Sequence, residues 1–573
     1  MKSLKEKIKE LSVLQFYFLI SVIGFLPILI FGYFIQDDYG IKNFYYLNFS
    51  DATEWMCTVN NNRPLSCIYF AALTRVWPVY QIYFLLIFFI FSLFIFKLIN
   101  VYDFIIKDKI TKKLFILFLI FPFFSYTILY SPAMQGIGAF SLLIWVYSLF
   151  FLKKFITYNK KIFFILSHFL ILIMYLTYES SAPLLGLSLI FPLFFSKKKL
   201  FFLNALFIGL ITFLILYLQK KVFPEIFDID LSRVKLSIIN LKQLLYLILI
   251  NISLTINIFF YSIEIFINNL FYNIKNFNFL LILQIISLVT LFYISINKLD
   301  TIIKKNYNKK NNLLIFLSIV AVVFLNVLMH SLANTGIDFI QYNNRALTSI
   351  SSILPFIILL LILIIKSRNI NILKNLIVFF YLVLLSNFLY FQNNLISEKF
   401  LAQKIIRGKN EILGEQSYKK NTRINFVFYD NHNLSELMSY NSLDAITSLN
   451  KSSSEIYINI NTPKFCNKAY YNEYIKKAYL DNNYDFTFIR YAFRNINSKK
   501  QINFKKKMNN ISRPDIEVFN NLENYEVVDI FNQLFECSNY TKYSEMLKRD
   551  VYLDNRYEGL FLESLKKIYF KLF

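Results

Sequence analysis

Histidine is nearly missing from this chain. Only His168, His330 and His432 occur. No cluster of side chains has the spacing of a metal site, and HExxH does not occur, so the common metal motifs are excluded. A P-loop and GxGxxG are absent too, which removes the usual phosphate cradles of nucleotide-binding folds. Cysteine is scarce, with 4 residues (Cys57, Cys67, Cys466 and Cys537), none inside an apolar run. Acidic residues are also few: 36 Asp and Glu stand against 61 Lys and Arg, for a formal charge of +25. A basic excess can attract nucleic acid. Here much of the Lys falls in short clusters between apolar runs, the pattern that orients a membrane protein. No nucleic-acid partner is expected. No internal repeat of solenoid period is present.

What the chain does have is apolar length. It is 56% hydrophobic and 19% aromatic over 573 residues, with mean hydropathy +0.47. Runs of bilayer-crossing length recur through the first two thirds. The expected fold class is therefore a polytopic α-helical membrane protein. The first run, Leu14 to Ile35, is too long for a cleaved signal peptide and lacks a small-residue cleavage site after it. Further spans are expected at 81–99, 114–130, 136–152, 162–178, 183–195, 200–218, 279–296, 313–329, 346–365 and 376–391, roughly eleven in all. Residues 220–278 are ambiguous; a hairpin or a surface-lying helix pair fits the charge pattern best. Lys-rich Met1 to Glu10 and the clusters at 97–113, 153–161, 197–199 and 298–310 then share the cytoplasmic side.

After Gln392 no run reaches membrane length. Segments at 424–429, 455–460 and 486–493 read as strands. Those at 397–413 and 469–480 read as helices. The expected organisation is a transmembrane domain over 1–391 and a soluble extracytoplasmic α/β domain over 392–573. All four cysteines then lie in the oxidising compartment. They are read as disulfides, Cys57–Cys67 and Cys466–Cys537 being the simplest pairing, or else as free thiols.

The chemistry-bearing candidates cluster at the outer ends of spans. Asp37 and Asp38 follow the first span directly. Adjacent carboxylates raise one another's pKa, which suits a general base for an acceptor hydroxyl. The alternative is a solvated helix cap. Residues 37–80 read as a long outer loop carrying Asn62-Arg63-Pro64-Leu65. Arg63 suits a phosphate, since a guanidinium can hold two oxygens at once; otherwise it makes a surface ion pair. Arg345, at the outer end of a late span, is a second phosphate candidate or a snorkelling cation. Tyr178 and Glu179 lie at another outer edge, lining a sugar site or hydrogen-bonded in a structural role. Arg75 stays undecided, and Trp77 reads as an interfacial anchor. His168, inside a span, reads as a packed core residue.

The first span, Asp37-Asp38-Tyr39-Gly40, Trp55 and Arg63-Pro64-Leu65 before the second span together resemble the bacterial membrane glucosyltransferases of the Gtr type II family, which modify O-antigen. More broadly the chain resembles the GT-C glycosyltransferase superfamily. The close resemblance covers about 45 residues, with Tyr175 to Ser181 and Arg345 matching more loosely. Ile41-Lys42 stands where family members often carry Arg. The resemblance implies a GT-C-like fold in a bacterial inner membrane. It also implies inverting transfer of a hexose, with glucose expected, from a polyprenyl-phosphate donor to a surface glycan. Tyr39, Tyr178 and Glu179 would contact sugar or acceptor. No cofactor is required by this scheme, although the Asp pair could bind Mg²⁺ or Mn²⁺. A polymerase or ligase of lipid-linked chains, and a transporter for a lipid-linked glycan, are the competing classes.

Overall fold

The computed structural model describes residues 10–31, 49–59, 63–76, 80–121, 137–218, 279–296, 309–332, 348–364 and 372–389. It also describes scattered positions between 222 and 267, and four strands beyond residue 420. The chain divides into two compact units, one of helices and one containing the strands.

The first helix, α1 (Val13–Phe31), starts where local chemistry dictates. Gln15 N–H donates to Ser12 Oγ at 3.1 Å, and Ser12 N–H donates back to Gln15 Oε1 at 2.8 Å. This reciprocal box satisfies two donors that a helix start would leave bare. Two short helices follow, α2 (Phe49–Val59) and α3 (Pro64–Val76), packed on each other. They occupy what reads in sequence as loop. Each is too short to register as a span, and α2 is also polar.

Next come α4 (Tyr80–Val101) and α5 (Lys109–Leu119). Asp108 caps α5, accepting from Ile110 N at 3.0 Å and Thr111 N at 2.8 Å. The cap draws Lys109, Lys112 and Lys113 into the helix, so it begins before the apolar run at Leu114. Helices α6 (Ile137–Tyr158) and α7 (Lys161–Thr177) form a tight hairpin. Asn159 turns it with φ 54°, a left-handed conformation that Asn tolerates better than most residues.

A 3₁₀ turn (Glu179–Leu184) leads into α8 (Leu185–Phe194), then α9 (Lys198–Tyr217). The remaining helices are α10 (Phe279–Ile296), α11 (Lys309–Leu332), α12 (Thr348–Ile364) and α13 (Ile372–Leu389). Among the described residues three helices are long and apolar enough to cross a membrane: α6, α9 and α13. α9 exposes Phe202, Leu206, Leu210 and Phe213, the last 71% exposed. That stripe of large apolar side chains suits lipid contact.

Polar groups stitch the helices together. Trp145 Nε1 donates to Ser188 Oγ at 3.0 Å, and Asn204 Nδ2 to the Ser188 carbonyl at 2.9 Å, joining α6, α8 and α9. Tyr381 stacks flat on Phe292, with ring centroids 4.0 Å apart. His168 is a packed core side chain, as its position within a span implies, with Nδ1 2.9 Å from the Phe164 carbonyl. Gly186 in α8 lets α11 approach closely. A Cβ there would lie 2.9 Å from the Ala321 and Val322 backbone, the small-residue contact on which helix packing in lipid depends.

Pro27 has no N–H, so within α1 the Ile23 carbonyl loses its usual helical donor. Gln284 of α10 supplies one: its Nε2 lies 3.2 Å from the Ile23 oxygen and 2.9 Å from the Gly24 oxygen. We expect Gln284→Leu to destabilise the protein by about 1–3 kcal/mol, because it strips a buried carbonyl of its donor. Thermal unfolding in detergent reads this directly; an unchanged midpoint would show that the carbonyl needs no outside donor.

The second unit contains a sheet of order β2-β1-β3-β4, with β1 (Arg423–Asp430), β2 (Tyr457–Asn461), β3 (Phe486–Ala492) and β4 (Ile516–Phe519). β1 pairs in parallel with both β2 and β3, and β4 runs antiparallel to β3. Parallel neighbours require long crossover connections rather than hairpins. The helices expected at 397–413 and 469–480 lie outside the described residues.

Candidate functional site

Arg63 and Tyr178, far apart in sequence, meet in space. The Arg63 guanidinium carbon lies 4.9 Å from the centre of the Tyr178 ring. Such a cation–π contact contributes about 0.5–2 kcal/mol, more where water is excluded.

Local structure fixes both partners. Arg63 sits just before α3, and its carbonyl takes the first helical hydrogen bonds, from Ser66 N at 2.9 Å and Cys67 N at 3.3 Å. Ser66 Oγ also donates to it, at 2.8 Å. Pro64 occupies the first helical position, where a missing N–H costs nothing. Cys57 and Cys67 form a disulfide across ten residues, with Cα atoms 4.7 Å apart, tying α2 to the first turn of α3. On a chain-entropy account a loop of this size stabilises by about 3 kcal/mol. The Arg63 backbone is thus held from both sides.

Tyr178 ends α7 in an extended conformation, φ −160° and ψ 102°, and its N–H donates to the Met174 carbonyl at 2.9 Å. It is 1% exposed. Ser141 of α6 donates a long bond of 3.5 Å to its carbonyl. Glu179 opens the 3₁₀ turn immediately after it; its side chain lies outside the described residues.

Among the described residues, Lys97, Lys109 and Lys153 lie elsewhere. Lys109 Nζ reaches the Glu10 carbonyl at 3.1 Å, and Lys153 pairs with Asp103 at 2.6 Å. Lys97 lies over the Phe150 ring, 3.2 Å from its centre. These contacts bring together the ends of α1, α4, α5 and α6. α7 leaves that end at Lys161 and reaches Tyr178 about 25 Å away, at 1.5 Å per residue. Arg63 and Tyr178 therefore sit at the end of this hairpin opposite Lys153.

Asp37, Asp38, Tyr39, Arg345, Cys466 and Cys537 lie outside the described residues, as does Trp77. Arg75 lies 5.6 Å from the centre of the Phe49 ring, within the α2–α3 pair. Among the described residues no three of His, Cys, Asp and Glu come together as a metal site.

Sequence reading did not single out Ser141 or Asn326. Asn326 is fully buried in α11. Its signal is visible in retrospect as a carboxamide within an otherwise apolar run, which is costly unless something meets it.

Among the described residues, three helices long and apolar enough to cross a membrane and an apolar surface stripe are compatible with a helical membrane protein. Searches against family models, curated proteins and solved structures found no match to this chain.

Proposed function

We propose that this protein is a GT-C-like membrane glycosyltransferase. It moves a hexose, with glucose the first candidate, from a polyprenyl-phosphate donor to a surface glycan such as O-antigen, by inverting transfer on the extracytoplasmic face. The observation that carries the reading is the meeting of Arg63 with Tyr178, two residues drawn from separate parts of the sequence as phosphate and sugar contacts.

In this scheme Asp37 or Asp38 takes the proton of the acceptor hydroxyl as its oxygen attacks the anomeric carbon. The polyprenyl phosphate departs from the opposite side, its growing charge met by Arg63 and Arg345. No nucleotide is needed, because the lipid phosphate is already the leaving group. The Cys57–Cys67 disulfide supports an oxidising compartment for this end of the molecule. The separation from Lys97, Lys109 and Lys153 supports an opposite, cytoplasmic side for those residues. The direct test is mass spectrometry of surface glycan from cells with and without the protein. Loss of one hexose per repeat is expected on deletion; an unchanged glycan overturns the reading.

The orientation makes its own prediction. A membrane-impermeant thiol label should reach an engineered cysteine at Asn450 in spheroplasts and should miss one at Lys305. The reverse pattern would place the carboxylates in the cytoplasm, where a polyprenyl-linked donor in the outer leaflet could not reach them.

A further inference from the structure

We propose that Tyr178, Ser181 and Asn326 form the subsite that reads the hydroxyl groups of the transferred sugar. This inference rests on the lipid-linked donor reading above and names the residues that would recognise the sugar half of that donor.

Three polar groups around the 3₁₀ turn are buried without a hydrogen-bond partner among the described residues. They are the Tyr178 hydroxyl, the Ser181 hydroxyl and both polar atoms of the Asn326 carboxamide. Their residues are 1%, 0% and 0% exposed. Each such group costs free energy that Phe, Ala or Leu would avoid.

Helix register and one close helix contact relate the three residues. Leu314, Ser318, Val322 and Asn326 recur every four residues along α11, so each lies on the same side as the next. All four are buried, while Phe316, Val320 and Phe324 are exposed. Gly186, at the start of α8, abuts Ala321 and Val322. Asn326 lies one turn beyond Val322, about 6 Å further along the helix. The 3₁₀ turn containing Ser181 precedes Gly186 and touches α11. Tyr178 immediately precedes that turn, with Arg63 over its ring.

The chemistry of the set is specific. Two hydroxyls and a carboxamide offer both donors and acceptors and carry no charge. That suits a polyol, each of whose hydroxyl groups both gives and takes a hydrogen bond. A phosphate, which only accepts at neutral pH, would use the donors of the set alone and leave the Asn326 carbonyl oxygen without a partner. Arg63, beside them, supplies the cation for the phosphate. A hexosyl phosphate presents these two chemistries next to each other.

The test uses the full chain in detergent. Thermal unfolding is followed with a short-chain polyprenyl phosphate, either bare or carrying glucose, galactose or N-acetylglucosamine. Wild type should be stabilised by the bare lipid and further by at least one sugar-bearing form. In Tyr178→Phe and Asn326→Leu that additional shift should vanish, with affinity for the sugar-bearing lipid falling about tenfold for each hydrogen bond lost. The shift from bare lipid should persist. Without ligand both variants should melt at or above the wild-type temperature, because an unsatisfied buried group has been removed. Ser181→Ala provides a third variant should a larger change prevent folding.

A sugar-specific shift retained in all three variants overturns the subsite. So does a ligand-free melting temperature several degrees below wild type, which would mean the groups are already satisfied within the protein. Equal response of wild type to bare and sugar-bearing lipid overturns it as well, while leaving the phosphate site standing. No response of wild type to any of these lipids instead removes the donor reading itself, and this inference with it.

Discussion

Asp37→Asn and Asp38→Asn should separate a catalytic carboxylate from a structural one. Replacing the base should lower hexose transfer by about two orders of magnitude or more, since general-base catalysis contributes ~10²–10⁴-fold. Asn keeps the size and the hydrogen-bonding capacity but cannot accept the proton. The two variants should differ: the base variant loses turnover, whereas the neighbour variant shifts the pH dependence, because removing an adjacent negative charge lowers the pKa of the remaining carboxyl. Activity in the neighbour variant should therefore extend to lower pH. The measurement is single-turnover transfer from a polyprenyl-phosphate glucose to purified glycan across pH, with membrane insertion checked in parallel. Transfer near the wild-type rate in both variants would leave the pair as a solvated cap.

Arg63→Ala should weaken donor use by about 1.5–3 kcal/mol, as expected for a charge-assisted contact to phosphate, or roughly ten- to a hundredfold. Arg345→Ala should behave similarly if both cations hold the same group. Lys at either position should rescue only in part, because an ammonium cannot grip two oxygens at once. Arg63 carries a further structural consequence: its guanidinium packs on Tyr178, so the Ala variant also loses about 0.5–2 kcal/mol of cation–π attraction. Tyr178→Leu separates the two effects. It should remove the ring contact and lower stability while keeping the guanidinium, so affinity for the bare polyprenyl phosphate should fall less than in Arg63→Ala. Equal donor affinity in wild type and both Ala variants would assign the arginines to topology or surface charge.

Much of the helical unit is legible along the chain because its causes are local. The run from Leu14 needs only its own apolar residues and the Ser12–Gln15 box to define a helix start. Phe279 to Ile296 is a helix with the bounds its apolar run implies. The strands at 423–430, 457–461 and 486–492 fall on the three segments that read as strands, while β4 at 516–519 is unexpected from the sequence. At α2 and α3, where the sequence reads as loop, both helices are short, and α2 is also rich in polar residues, so length marks neither of them. Where the sequence reads as loop before Leu114, the Asp108 cap extends the helix into basic sequence.

The candidate site was legible only as residue types. Arg63 and Tyr178 stand out along the chain only by their identities and by their positions at segment ends. Nothing in either segment says that they meet. The same holds for Trp145 with Ser188, for Gln284 with the carbonyl left open by Pro27, and for Gly186 against Ala321.

The sequence by itself determined which segments are apolar enough to be helices in a membrane, where several of them begin, and where composition turns from lipid-like to water-like. Those properties depend on side-chain hydrophobicity and on capping within three or four residues, so a linear reading captures them. Only the tertiary structure decided which helix ends adjoin, which buried polar groups find partners and which do not. Those outcomes depend on close packing between segments separated by up to hundreds of residues, and one helix periodicity is compatible with many such pairings.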